Sequence, residues 1–125
     1  MRRKMLISML GLVGLASPAN AGGDVAKGVK VFVRCKTCHT INTSYNRVGP
    51  SLKGVVGRKV ASVDKYEYSE AMHKQGEEGI IWDDAHLTTF LVDPKASMPG
   101  TKMDFAGLKK PDEVADIIAY LKSKP

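Results

Sequence analysis

The amino-acid sequence predicts an all-α fold of about four short helices joined by long loops. Three observations lead there. Apolar residues recur at helical spacing near residue 29, near residue 90 and again at the C-terminal end. No two segments alternate apolar and polar residues as paired strands would. The stretches between helices are rich in Gly, Pro, Ser and Asn, and are longer than a compact domain ordinarily leaves without structure. Roughly 100 residues with so few helices make a thin core, and a large buried group would fill it.

Residues 1–21 stand apart. Met1-Arg2-Arg3-Lys4 is basic, Met5 to Ala16 is apolar apart from Ser8 and two glycines, and Ser17-Pro18-Ala19-Asn20-Ala21 ends in small residues spaced A-x-A. This is the three-part pattern of a secretory signal peptide, cleaved after Ala21. The apolar run is shorter than the ~20 residues that span a bilayer, which argues against an anchor. The paired arginines lack a longer polar lead-in, which argues against twin-arginine export. The domains are therefore a signal peptide, 1–21, and one domain, 22–125. Three of the 19 basic residues and none of the 13 acidic ones fall in the leader. The remaining 16 against 13 give the mature domain a net charge of +3. Nucleic-acid binding fits poorly with an exported protein of that charge, whereas a modest positive docking face fits well.

In the mature chain Asp24 is placed to cap a first helix, and Val25, Val29, Phe32 and Val33 form one helical stripe. Gly28 inside that helix costs about 1 kcal/mol against Ala, so it marks either close approach by another element or plain tolerance. Thr40 to Asp64 reads as loop. A short helix begins at Ser69 and ends by Gly76, followed by a turn through Gly79. Asp83 caps the next helix, with Leu87, Phe90 and Leu91 inward, and it stops at Asp93 before Pro94. Lys95 to Lys110 is loop again. Pro111 opens the last helix, whose inner face is Val114, Ile117, Ile118 and Leu121.

The chemistry lies at Cys35-Lys36-Thr37-Cys38-His39, a C-x-x-C-H motif. Two thiols at this spacing reach two vinyl groups on neighbouring edges of one porphyrin, and the adjacent His projects under the iron from the same turn. One covalent haem c, attached through Cys35 and Cys38, is the cofactor this motif specifies. The competing uses are weaker. A disulfide across two residues closes too small a loop to brace a fold. A thioredoxin-like pair wants a βαβ pattern, and a zinc site wants four ligands. For the sixth iron position the residues alone leave Met72, Met98, Met103, His73, His86 and several lysines open.

These segments resemble the class I c-type cytochromes of the bacterial cytochrome c2 type, close to mitochondrial cytochrome c. The match runs through Gly28 to His39, Gly49-Pro50 to Gly57-Arg58-Lys59, Trp82 to Phe105, and the last helix to Leu121. The resemblance implies the small cytochrome c fold wrapped around one covalent haem. It implies His39 and Met103 as the iron ligands, with Met98 as a packing residue of the same loop. It implies that the Pro50 carbonyl fixes the His39 ring, which sets tautomer and basicity. Arg58, Tyr68 and Trp82 match positions around a buried haem propionate, which needs such partners. Phe105 matches an aromatic beside the haem edge, while Gly28, Phe32 and Tyr120 match the crossing of the first and last helices. Phe90 and Met72 depart from the mitochondrial tyrosine and asparagine, which implies a drier pocket and a shifted potential.

The implied function is a soluble periplasmic one-electron carrier rather than an enzyme. The alternative is a small haem enzyme or ligand sensor with a labile sixth ligand. As partners the resemblance implies a cytochrome bc1 complex as donor and an oxidase, photosynthetic reaction centre or reductase as acceptor; bacterial relatives also serve C1-compound dehydrogenases. Such a monomer touches membrane complexes only peripherally. Lys36, Lys53, Lys95, Lys102 and Lys109 are candidates for a cationic rim.

Overall fold

The computed structural model describes Gly11, Gly14 and residues 22–125. The signal-peptide reading falls, apart from those two glycines, outside the described residues. Five helices follow in order: α1 Val25–Phe32, α2 Glu70–Glu77, α3 Asp84–Val92, α4 Pro94–Ser97 and α5 Pro111–Lys122. Four helix starts carry a side-chain cap. Asp24 accepts from Lys27 N, Ser69 from Met72 N, Asp83 from His86 N and Asp93 from Ala96 N, each satisfying one of the free N–H groups of a first turn. α5 starts instead on Pro111, with Asp112 and Glu113 in its first turn, where acid complements the helix dipole.

Two features differ from the sequence reading. α4 lies where loop was expected. Asp93-Pro94 stops α3 and at once starts a new helix, with Asp93 as cap and Pro94 as first residue. On α1 the inner face is Gly28, Val31 and Phe32, not the valine stripe. Val25, Val29 and Val33 are about half exposed.

The reason is the partner that α1 meets. α1 and α5 cross with Gly28 at the contact. A β-carbon there would overlap the Asp116 carbonyl and stand 2.6 Å from the Tyr120 β-carbon. The Phe32 and Tyr120 rings pack beside it, centroids 5.2 Å apart. Asp24 N donates to Asp116 Oδ1 at 2.8 Å, and Arg34 holds Glu113 at 2.8 and 3.1 Å. The α5 face read from the sequence is the buried one, with Val114, Ile117, Ile118 and Leu121 all under 7% exposed. Among the described residues the extended pairing is a single antiparallel bridge, Lys59 with Ile81.

Candidate haem site

The C-x-x-C-H segment continues from the end of α1 as further helical turns. Cys35 N donates to Phe32 O at 2.8 Å, and His39 N to Cys35 O at 3.0 Å. That last bond spans four residues, so Cys35 and His39 stand one above the other on one face, with Cys38 beside them. Gly49 N returns to Cys38 O at 2.8 Å, which folds the next loop back over the segment. Asn46 Oδ1 accepts from Ser51 N at 2.9 Å, and Arg47 Nη1 donates to Lys36 O at 2.6 Å. Together these bonds bring the Pro50 carbonyl within 2.7 Å of His39 Nδ1. A donor at Nδ1 leaves Nε2 as the unprotonated nitrogen, the form a metal takes. Gly49 lies flat against the same ring, and a β-carbon there would overlap it.

Two adjoining cavities of about 190 and 80 Å³ open beside this segment. Both are lined by Cys35, His39, Pro50, Tyr68, Met72 and Met103. The outer one adds Cys38, Val48, Lys102, Asp104 and Phe105. The inner, mostly apolar one adds Arg58, Trp82, Leu87, Phe90 and Leu91. Every site residue expected from the sequence therefore lines this space. Met98 does not. It is 1% exposed and closes a turn with Thr101 N bonded to its carbonyl at 3.0 Å. Pro99 and Gly100 (φ +91°) occupy the centre of that turn, as a type II turn demands. The turn carries the chain on to Met103, whose N–H meets Thr101 Oγ1 at 3.3 Å. His73 and His86 line neither cavity. His86 instead pairs with Gln75 at 2.9 Å and stacks on Trp82.

Arg58 and Trp82 come from segments joined through backbone, Trp82 N to Arg58 O at 2.9 Å and Gly57 N to Trp82 O at 2.8 Å. Arg58 Nη1 donates to the carbonyls of Ser51 and Lys53. Its Nε is buried and has no partner among the described residues. A charged donor left so is costly, and an acidic group in the inner cavity would satisfy it. Tyr68 is buried and accepts from Val63 N at 3.0 Å, leaving its own proton to give. Sequence reasoning missed Tyr66. Its ring packs edge-on to Tyr68 at 4.8 Å and its hydroxyl donates to Val48 O. The two-residue spacing of an extended segment was the signal that could have found it.

Burial sets the electrostatics. It pushes the Cys35 thiol up to about 11, with Cys38 adding and Arg34 opposing. Burial also lowers the His39 pKa, opposed by the Pro50 carbonyl and helped by the Arg58 charge, so the ring is held neutral. The Arg58 pKa is lowered mainly by burial, with Tyr68 opposing. Tyr68 is raised by burial first, against the Val63 N–H and Arg58.

The orphaned Arg58 nitrogen, two thiols and a neutral imidazole on one face fit a haem better than a bare metal ion. Among the described residues no cluster of three or more His, Cys, Asp or Glu could hold such an ion. The family model Cytochrome c matches residues 25–125. The chain belongs to the cytochrome c family. It is 47% identical to cytochrome c2 of Agrobacterium tumefaciens over 108 residues, covering 82% of this chain and 97% of that protein. It is 53% identical to cytochrome c of Theileria annulata over 102 residues, 80% of this chain and 85% of that one. Among solved structures, cytochrome cH from Methylobacterium extorquens matches with a TM-score of 0.74 and 50% identity, over 82% of this chain and 100% of that chain. As a c-type cytochrome the chain carries one covalent haem c and moves single electrons.

The lysines expected to ring the edge are all exposed, but only Lys102 lines the outer cavity. Lys95 pairs with Asp104, and Lys109 Nζ donates to Val92 O at 2.8 Å. Among the described residues, no helix is long and apolar enough to cross a membrane.

Proposed function

We propose that the chain is a periplasmic electron carrier whose haem iron is held by His39 and Met103. Cys35 and Cys38 hold the haem through thioethers. The observation that carries this is the shared lining of both cavities by Cys35, His39 and Met103. Haem iron supplies a one-electron couple between Fe(II) and Fe(III). The chain's residues do the rest. Pro50 holds His39 in one tautomer, and Met103 offers a thioether that favours the reduced ion. Arg58, Tyr68 and Trp82 supply the donors that a buried propionate requires. Phe105 lines the outer cavity, where it would cover a haem edge through which the electron could leave. With His39 and Met103 both holding the iron, the haem would offer no open position to oxygen or peroxide, which suits a carrier rather than an enzyme. Phe90 is 5% exposed and packs on Trp82 at 5.1 Å. Phe90 and Met72 both line the inner, mostly apolar cavity, so the potential would be tuned there without a tyrosine hydroxyl or an asparagine amide at these two positions.

The signal-peptide pattern of residues 1–21 supports export. A cytochrome bc1 complex is the proposed donor, and a terminal oxidase, reaction centre or reductase the acceptor. The deciding experiment is the optical spectrum of the purified protein, oxidised and reduced, with and without carbon monoxide. A methionine-to-ferric charge-transfer band with no carbon monoxide binding is the expected result. Ready binding without that band would replace the carrier by a haem enzyme or sensor.

A further inference from the structure

The mouth of the outer cavity does not carry the uniformly basic surface of a simple lysine rim. Lys102 and Asp104 flank Met103 in the chain, and both line the mouth. The Asp104 side chain is 97% exposed, and the aromatic Phe105 follows it. Its ionic partner is Lys95 at 3.4 Å, itself 64% exposed, so the pair is loose and well screened. Arg34, the other fixed cation of the mouth, is engaged by Glu113. Positive charge at the mouth is therefore partly offset: Glu113 holds Arg34, and Asp104 sets one negative charge between Lys102, two residues before it in the chain, and Lys95, its loose ionic partner.

We propose that Asp104 is a specificity-determining residue of the docking face. It selects redox proteins that present a basic side chain opposite residue 104, beside the acidic group that meets Lys102. A partner with a wholly acidic face would meet like charge at the point of closest approach, which slows encounter. This rests on the carrier reading, in which the mouth is the electron exit.

Small ions test the charge without choosing a partner. The reduced holoprotein gives one electron to hexacyanoferrate(III), forming hexacyanoferrate(II), or to tris(phenanthroline)cobalt(III), forming the cobalt(II) complex. In both, protein Fe(II) becomes Fe(III). Asp104→Asn is expected to raise the rate with the anion and lower it with the cation. Each change is about twofold to threefold at low ionic strength, and both fade at high salt. A changed driving force would move the two rates together, since both reagents oxidise. Glu78→Gln makes the same change in net charge beyond the end of α2 and is expected to leave both rates near wild type. A readout without electron transfer is hexacyanochromate(III), which does not react. It is expected to broaden the amide resonances of Thr101 to Phe105 more in Asp104→Asn than in wild type. Unchanged rates and unchanged broadening overturn the proposal, and so does an equal effect from Glu78→Gln. If wild type reduces neither reagent, the carrier reading falls, and the hexacyanochromate titration still decides whether Asp104 sets the charge of the mouth.

Discussion

Three methionines are near enough in sequence or space to compete for the iron, and burial alone does not choose among them. Met98 is the most buried of them, yet it lines neither cavity. Met72 and Met103 both line them. Met103→Ala is expected to lose the methionine charge-transfer band and to bind carbon monoxide. Met72→Leu and Met98→Leu are expected to keep the band and stay closed, which optical titration checks. In the proposed site Arg58 would have a separate role, since its positive charge beside the inner cavity would oppose the extra charge of a ferric ion held there. Arg58→Leu is expected to lower the midpoint potential. A differential interaction of about 1 kcal/mol corresponds to roughly 40 mV for one electron. Potentiometry reads this, and an unmoved potential would place Arg58 outside the haem's field. The tyrosines give a pH dependence. Burial raises both Tyr66 and Tyr68 above the ordinary phenol value of 10. Folding then favours the protonated phenols, so their stabilisation is complete below pH 10 and is lost as pH rises through the folded values. An ultraviolet titration is expected to show these two ionising above the ordinary phenol range, with thermal stability falling over the same alkaline range.

Elements show where the sequence was readable and where it was not. α5 was legible because Val114, Ile117, Ile118 and Leu121 repeat over about two turns of helix. α4 was not, because four residues are too few for any period, and Asp93-Pro94 served as both stop and start. The α1 stripe misled for a different reason. Hydropathy weights Val25, Val29 and Val33, whereas the crossing selects the residue with no side chain, Gly28. Gly28→Val is expected to force α1 from α5 and lower stability by about 3 kcal/mol or more. Val29→Thr, on the exposed face, is expected to cost under about 0.5 kcal/mol. Thermal unfolding followed by circular dichroism separates them. The site divides in the same way. Cys35, Cys38 and His39 were legible from spacing, because their chemistry is local. Arg58, Tyr68 and Trp82 come from separate segments, so only family resemblance could join them. Gly49 against the His39 ring had no local signal at all.

For the molecule as a whole, the helices alone make a slight protein. α1 and α5 touch each other, and α3 touches α4 and α5. The inner cavity lies between α3 and the C-x-x-C-H segment, so in the proposed site the haem would form part of the core it sits in. A chain ending at Lys110 keeps Cys35, Cys38 and His39 but lacks α5. It is expected to retain covalent haem while losing cooperative thermal unfolding, which haem staining and calorimetry read independently.

The Asp24–Asp116 bond joins residues 92 positions apart, and this gives the fold a direction in time. A chain appearing from its N-terminus shows its thiols early and α5 last. Contacts that distant form slowly, and here they cannot begin until synthesis is nearly over. Until then Cys35 and Cys38 remain open to whatever joins them to haem. The last dozen residues act as a latch, and the order of the chain decides when it closes.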